Sequence, residues 1–263
     1  MTFYARRKTD HRSTLPEGWP FAVAHRGAST LAPENTLAAF SLARSLGCRA
    51  IELDVHLCRT GELVVTHDHW LDRVSGIHAR VENLSFADLQ SIDAGSFFNV
   101  LHPDRAQAAF SRERIPTLDA VLEETGPDMC FDIELKTDLA FNPELARATA
   151  ECLARHRRDN CIVSSFNPFA LLSYRSCGPH ATAAIYCPYP SVPFYLRHRE
   201  CLRISGADIK KPAREIALGS RLAETGSKPV LVWTVDSADE AQRLRGKGVA
   251  GIITNRIQDF VSE

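Results

Sequence analysis

The chain has 263 residues, 44% of them apolar, enough for one large domain with a sizeable core. Its formal net charge of −1 offers no overall attraction to nucleic acid or to an anionic membrane surface. The 8 cysteines include no Cys-x-x-Cys pair and several lie in apolar runs, which points to reduced, buried thiols in a cytoplasmic protein and away from a disulfide framework or a zinc site.

Residues 1–20, with Pro16, Gly18 and Pro20, read as an extended lead-in, so the folded domain is expected over 21–263. Arg6, Arg7 and Lys8 are not followed by an apolar stretch, so no signal peptide is expected, and no apolar run reaches the length of a transmembrane segment. Phe21-Ala22-Val23-Ala24 predicts a short strand ending at His25-Arg26-Gly27. Pro33-Glu34-Asn35-Thr36 predicts the start of a helix with Leu37, Phe40, Leu42 and Leu46 on its apolar face and Gly47 as its stop.

The next strand alternates with period two: Ile51, Leu53 and Val55 take one side, Glu52 and Asp54 the other. Two carboxylates on one face of a buried strand repel each other and lose hydration, so they stay ionised only with a cation between them; otherwise the strand is a polar edge facing water. Thr60-Gly61 is short enough only for a hairpin. Read as a two-residue loop, it pairs Arg59 with Glu62 and sets Asp54 opposite His67. Residues 69–115 break the rhythm and predict an insertion with one helix, Ser85 to Ile92, capped by Ser85.

A helix over Leu118 to Glu124 restores the alternation. Strands are then expected at 129–136, 161–165, 181–186, 206–209, 229–235 and 250–253, with helices at 143–156, 168–175, 194–201, 212–225 and 237–246. Leaving out the hairpin partner, eight strands are each followed by a helix or an insertion, which predicts an α/β protein of the (β/α)8 TIM-barrel type, with a β-hairpin after strand 2 and a small insertion before strand 3. A doubly wound open sheet would need a glycine-rich turn after strand one, and none is there.

Barrel chemistry sits at the C-terminal ends of the strands. Strand one ends in His25 and Arg26, strand two carries Glu52 and Asp54, and its hairpin brings His67. The third strand puts Asp132, Glu134 and Lys136 on one face, and the seventh ends near Trp233. Glu52, Asp54 and Glu134 form a hard oxygen set suited to Mg2+ or Ca2+. Two histidines offer a proton donor and acceptor near neutral pH, and Arg26 and Lys136 add fixed positive charge for an anionic group such as phosphate. Asp132 has the bland alternative of a structural partner, and Trp233 that of a core residue. His67-Asp68-His69 also mimics the His-x-His of metal-dependent amidohydrolases, but there the pair ends the first strand, where this chain has a single His followed by Arg.

Ala24-His25-Arg26-Gly27, Pro33-Glu34-Asn35-Thr36, Glu52-Leu53-Asp54-Val55 and Val64-Val65-Thr66-His67-Asp68 together resemble the glycerophosphodiester phosphodiesterase family. The likeness continues in order through Arg114-Ile115-Pro116-Thr117-Leu118, Ile133-Glu134-Leu135-Lys136, Ser164-Ser165-Phe166, Val232-Trp233-Thr234-Val235 and Gly251-Ile252-Ile253-Thr254. The resemblance implies a metal-dependent hydrolase of glycerophosphodiesters that releases sn-glycerol 3-phosphate and an alcohol. It implies His25 and His67 as general acid and base, one divalent cation on Glu52, Asp54 and Glu134, phosphate contacts from Arg26 and Lys136, and Trp233 as a pocket wall. The insertion would shelter the glycerol end. Two departures stand out: Lys210-Lys211-Pro212 where many relatives carry His-Pro, and Thr254-Asn255 where many carry Thr-Asp. Both are expected to lie outside the catalytic set, the first changing charge at the barrel mouth. A lysophospholipase D or sphingomyelinase D on the same barrel would need an apolar rim, for which Phe97, Phe98, Phe110, Tyr186, Tyr189, Phe194 and Tyr195 are candidates. A non-catalytic binding barrel would be expected to lose a histidine or a ligand, and this chain keeps each one.

Overall fold

Period-two alternation sorts the side chains of β2 (Ala50–Leu57) and β4 (Cys130–Leu135) into two layers. Ile51, Leu53, Val55, Phe131, Ile133 and Leu135 face outward into a core shared with the helices. Ala50 and Cys130 join an inner core with residues such as Ile162, Ala183, Ile209 and Leu231. In the computed structural model, which describes residues 14–190, 197, 200–219 and 228–261, these strands form a parallel barrel.

The order around the barrel is β7 (Ile209–Pro212), β6 (Ala181–Tyr186), β5 (Cys161–Ser165), β4, β2, β1 (Ala22–His25), β9 (Gly251–Thr254) and β8 (Leu231–Trp233). Single bridges Lys210↔Val230 and Ala213↔Trp233 bring β7 alongside β8 and nearly close the ring. The fold is therefore the expected (β/α)8 barrel, and β3 (Leu63–Val65) is the antiparallel hairpin partner of β2. Leu15 and Trp19 pack against the inner core, so the described end of the lead-in docks on the barrel.

Helix starts follow local chemistry. Thr36 caps α1 (Leu37–Ser45) and Thr117 caps α5 (Leu118–Thr125). Asn142 and Asn167 cap α6 (Pro143–Arg155) and α7 (Pro168–Cys177), each with proline in the first turn. The first helix begins later than Pro33 suggests, because the Thr36 hydroxyl caps it by accepting from the Ala39 amide and Asn35, at φ 56°, is not helical. The insertion carries α2 (Asp72–Ser75), a 3-10 turn at Val81–Asn83, α3 (Phe86–Gln90), α4 (Ser96–Leu101) and a 3-10 turn at Ala108–Arg112; its first three elements contribute to a small core of Leu71, Val81, Leu89 and Ile115. Ser85 caps α3 in a reciprocal capping box with Asp88.

The sixth of the eight expected barrel strands, β7 in the structure, departs from expectation. It lies at Ile209–Pro212 and not at 206–209, because Gly206, at φ 62°, terminates α8 (Glu200–Ser205) and Ile209 is the residue that seats in the inner core. Of the helix expected over 194–201, Arg197 is a bend and the segment with Phe194 and Tyr195 falls outside the described residues. Of the helix expected over 212–225, Pro212 belongs to β7, α9 spans Arg214–Gly219, and the remainder lies outside the described residues. No helix among the described residues is long and apolar enough to cross a membrane.

Candidate active site

Parallel pairing builds the site in layers. β1 sets His25 beside Glu52, and β4 sets Asp132 beside Glu52 and Glu134 beside Asp54. All four carboxylates face the barrel interior and are buried. One oxygen each from Glu52, Asp54 and Glu134 lies within 4.8 Å of the others. Glu52 Oε2 and Asp54 Oδ1 are buried without a hydrogen-bond partner, a costly state that a bound cation would relieve. An all-oxygen, anionic donor set with orphaned lone pairs fits a hard divalent ion.

Electrostatics separates the two acids of β2. Burial, and then the neighbouring Asp54 carboxylate, push Glu52 well above the ordinary glutamate value. Burial also works against Asp54, but Lys136, His67, Arg26 and the Asn35 hydrogen bond outweigh it and hold Asp54 below the ordinary range. Asn35 Nδ2 donates to Asp54 Oδ2 at 2.9 Å, and Arg26 Nε lies 3.4 Å from the same oxygen. Lys136 Nζ donates to Glu134 Oε1 at 2.9 Å and stands 3.4 Å from Asp54 Oδ1. Burial alone would lower Lys136, and those carboxylates reverse the shift.

Each histidine has a partner at Nδ1. Asn255 Nδ2 donates to Asp236 Oδ2 at 2.8 Å, so Asn255 Oδ1, 2.6 Å from His25 Nδ1, is left as an acceptor. His25 therefore carries its proton on Nδ1 and turns the Nε2 lone pair toward the site, 3.8 Å from Glu52 Oε2. Burial and the adjacent Arg26 guanidinium lower this imidazole to about 3. His67 Nδ1 lies 2.6 Å from Asp68 Oδ1, and Arg73 ties Asp68 to Glu34, which also accepts from Arg26 Nη1 at 2.9 Å. Trp233 is half-buried; its Nε1 donates to the Lys211 carbonyl, and its ring meets Phe166 and Tyr189 edge to face.

The structure thus gathers His25, Arg26, Glu52, Asp54, His67, Glu134 and Lys136 around one end of the barrel. It corrects four details. The hairpin loop has three residues, with Gly61 at φ 97° and Cys58 paired with Glu62, so Asp54 lies opposite Thr66 and not His67. Thr66 N–H donates to the Asp54 carbonyl, and His67, the next residue, acts on the Asp54 carboxylate through its charge. Lys211 is not at the mouth: it is 2% exposed inside the barrel, with Nζ 2.8 Å from Asp132 Oδ2 and 3.7 Å from Glu52 Oε1. Asn255 touches the site through His25, so neither departure from the family pattern lies outside it. Phe98 and Phe110 are buried against each other, with ring centroids 5.6 Å apart and Ala32 and Ala39 beside them; Tyr186 is also buried. None of these three can form an exposed apolar rim.

Sequence reasoning assigned no role to Asn35, Asp68 or Asp236, and it placed Lys211 and Asn255 outside the catalytic set. Asp68 had a local signal, its adjacency to His67. Lys211 would have shown once the strand expected at 206–209 was shifted to run from Ile209.

A parallel barrel with buried carboxylates, two oriented imidazoles and paired cations at the C-terminal ends of its strands is a TIM-barrel enzyme. Residues 25–259 match the glycerophosphoryl diester phosphodiesterase family, and the chain belongs to that family, a group of phosphoric diester hydrolases. It is 32% identical over 247 residues to the glycerophosphodiester phosphodiesterase of Caldanaerobacter subterraneus subsp. tengcongensis, covering 91% of this chain and 96% of that one. Among solved structures it resembles an Oleispira antarctica phosphodiesterase in complex with the product sn-glycerol-3-phosphate, with a TM-score of 0.78, 27% identity, and coverage of 92% of this chain and 96% of the other. The glycerophosphodiester phosphodiesterase of Agrobacterium tumefaciens is similar at a TM-score of 0.73 and 25% identity, over 93% of this chain and 100% of that one.

Proposed function

We propose that the protein hydrolyses glycerophosphodiesters to sn-glycerol 3-phosphate and an alcohol by histidine acid–base chemistry supported by one divalent cation. The observation that carries this reading is the meeting of three buried carboxylates with two histidines whose Nδ1 atoms are already engaged. Glu52, Asp54 and Glu134 would hold Mg2+ or Ca2+, which when bound neutralises the acids and withdraws charge from a phosphate oxygen. Lys136 and Arg26 add fixed positive charge at the phosphate. His25, neutral with its Nε2 lone pair facing the site, takes the proton of the attacking oxygen, from water or from the neighbouring glycerol hydroxyl. His67, oriented by Asp68, gives a proton to the leaving alkoxide as the phosphorus–oxygen bond breaks. Trp233 forms one wall of the pocket with Phe166 and Tyr189, and the insertion 69–115 shelters the glycerol end. Eight free cysteines, seven of them buried, support a reducing compartment such as the cytoplasm.

Release of glycerol 3-phosphate from glycerophosphocholine tests the reading. Chelation and His25→Ala should each lower turnover by about 100-fold or more, the range general acid–base groups contribute. Undiminished turnover in chelator would remove the cation from the mechanism. Lysophosphatidylcholine should be the poorer substrate, since Phe98 and Phe110 are committed to the core.

A further inference from the structure

Beside the carboxylate site, a second cluster joins β2 to the insertion. His56, fully buried, comes from the end of β2; His69 and Glu82 come from the insertion and are partly exposed. His56 Nδ1 lies 3.0 Å from Glu82 Oε1, and His69 Nδ1 is hydrogen-bonded to the same oxygen. The three atoms lie within 4.8 Å of one another. The other Glu82 oxygen, Oε2, accepts from Arg80 Nε at 3.2 Å, and Arg80 also pairs with Asp138. Oε1 is thus the oxygen left to the imidazoles.

Proton counting shows what this arrangement lacks. His56 Nε2 is 3.3 Å from the carbonyl oxygen of His67, so both ring nitrogens of His56 face acceptors. A neutral imidazole has one N–H. In the neutral ring one nitrogen therefore meets an oxygen with a lone pair, with no exposed surface for water to intervene; short of a buried imidazolium, nothing in the cluster satisfies both acceptors. A cation at the centre resolves the conflict: Nδ1 of His56, Nδ1 of His69 and Oε1 of Glu82 become ligands, and the Nε2–H of His56 is free to donate to the His67 carbonyl. Ligating histidines ordinarily hold a backbone carbonyl or carboxylate through the second nitrogen in this way. The His56 Nδ1–Glu82 Oε1 separation of 3.0 Å is that of two ligands on one ion, which stand roughly 3 Å apart when each is bound at about 2.0–2.1 Å.

We infer that His56, His69 and Glu82 form a second metal site, selective for a first-row transition ion such as Zn2+, whose ligands pin the insertion to β2. Two imidazoles with one carboxylate favour such an ion over Mg2+ or Ca2+, which prefer all-oxygen sets. His69 and Glu82 are partly exposed, so solvent can supply the remaining position. The ion orders the segment that carries His67, because His56 bonds to its backbone. The site shares no ligand with Glu52, Asp54 and Glu134 and does not rest on the reaction proposed for them.

The test uses the full chain stripped of metal and titrated with Co2+ alone, followed by visible absorption, with bound Zn2+ counted separately after equilibrium dialysis. The expected result is an imidazole-ligated Co2+ signal that persists in Glu52→Gln. His69→Ala and Glu82→Gln should each weaken it by more than about 100-fold, beyond the loss of an outer-shell partner, and each should bind one Zn2+ fewer. Glu82→Gln keeps the shape of the side chain and guards against a folding defect in the alanine variant. An unchanged Co2+ affinity and spectrum in folded His69→Ala and Glu82→Gln would overturn the inference, as would loss of the signal in Glu52→Gln alone.

Discussion

His25 should make the metal-free protein acid-sensitive in a window that can be calculated. Its folded value is depressed from 6.5 to about 3 by burial and by Arg26. Between those values the unfolded chain binds a proton that the folded chain does not, so stability falls as pH falls from 6.5 toward 3. Each unit is worth about 1.4 kcal/mol, so this one group costs roughly 2 kcal/mol between pH 6.5 and 5. That upper part of the window avoids depressed carboxylates such as Glu34, whose stabilising contribution is lost only below about 4.5. Urea denaturation in chelator at half-unit pH steps measures the effect, with His25→Asn as the reference that lacks the titrating ring. The wild-type midpoint should fall more steeply than that of the variant, and the difference isolates His25 from Glu52, whose raised value acts with the opposite sign. Parallel curves from pH 7 to 5 would refute the low value and with it the neutral Nε2 on which the proton-acceptor role depends.

Two further outcomes test the packing beneath the site. Lys211→Met leaves Asp132 and Glu52 without their buried cation and should cost about 3–5 kcal/mol in urea denaturation; a loss below about 1 kcal/mol would mean that the ion pair is not formed. Gly27→Ala puts a Cβ 2.7 Å from the Ala39 carbonyl carbon at φ 82°, a left-handed position. The strain and overlap should lower Tm by about 5–15 °C, and a shift under about 2 °C would show that the turn after Arg26 relaxes freely.

The residues most legible in the sequence were those whose neighbours in space are also neighbours in period. Glu52 and Asp54 share a face because alternation along a strand allows nothing else, and the same holds for Asp132 and Glu134. The hairpin was legible but its register was not: Gly61 can close a two- or a three-residue loop, and only the Cys58–Glu62 pairing shows which. The insertion hid its own core, since Phe98 and Phe110 carry no local sign that they meet each other and the outer face of α1.

Alternation and spacing in the sequence determined the barrel and the three carboxylates, because both follow from backbone geometry repeated along single strands. Tertiary structure alone decided that Asn255 orients His25 across 230 positions of chain, and that Lys211 is an internal cation and not a rim charge. Those contacts depend on which strands become neighbours when a sheet closes on itself, and on a three-residue shift of β7 that places Ile209 in the inner core and Lys211 among the acids.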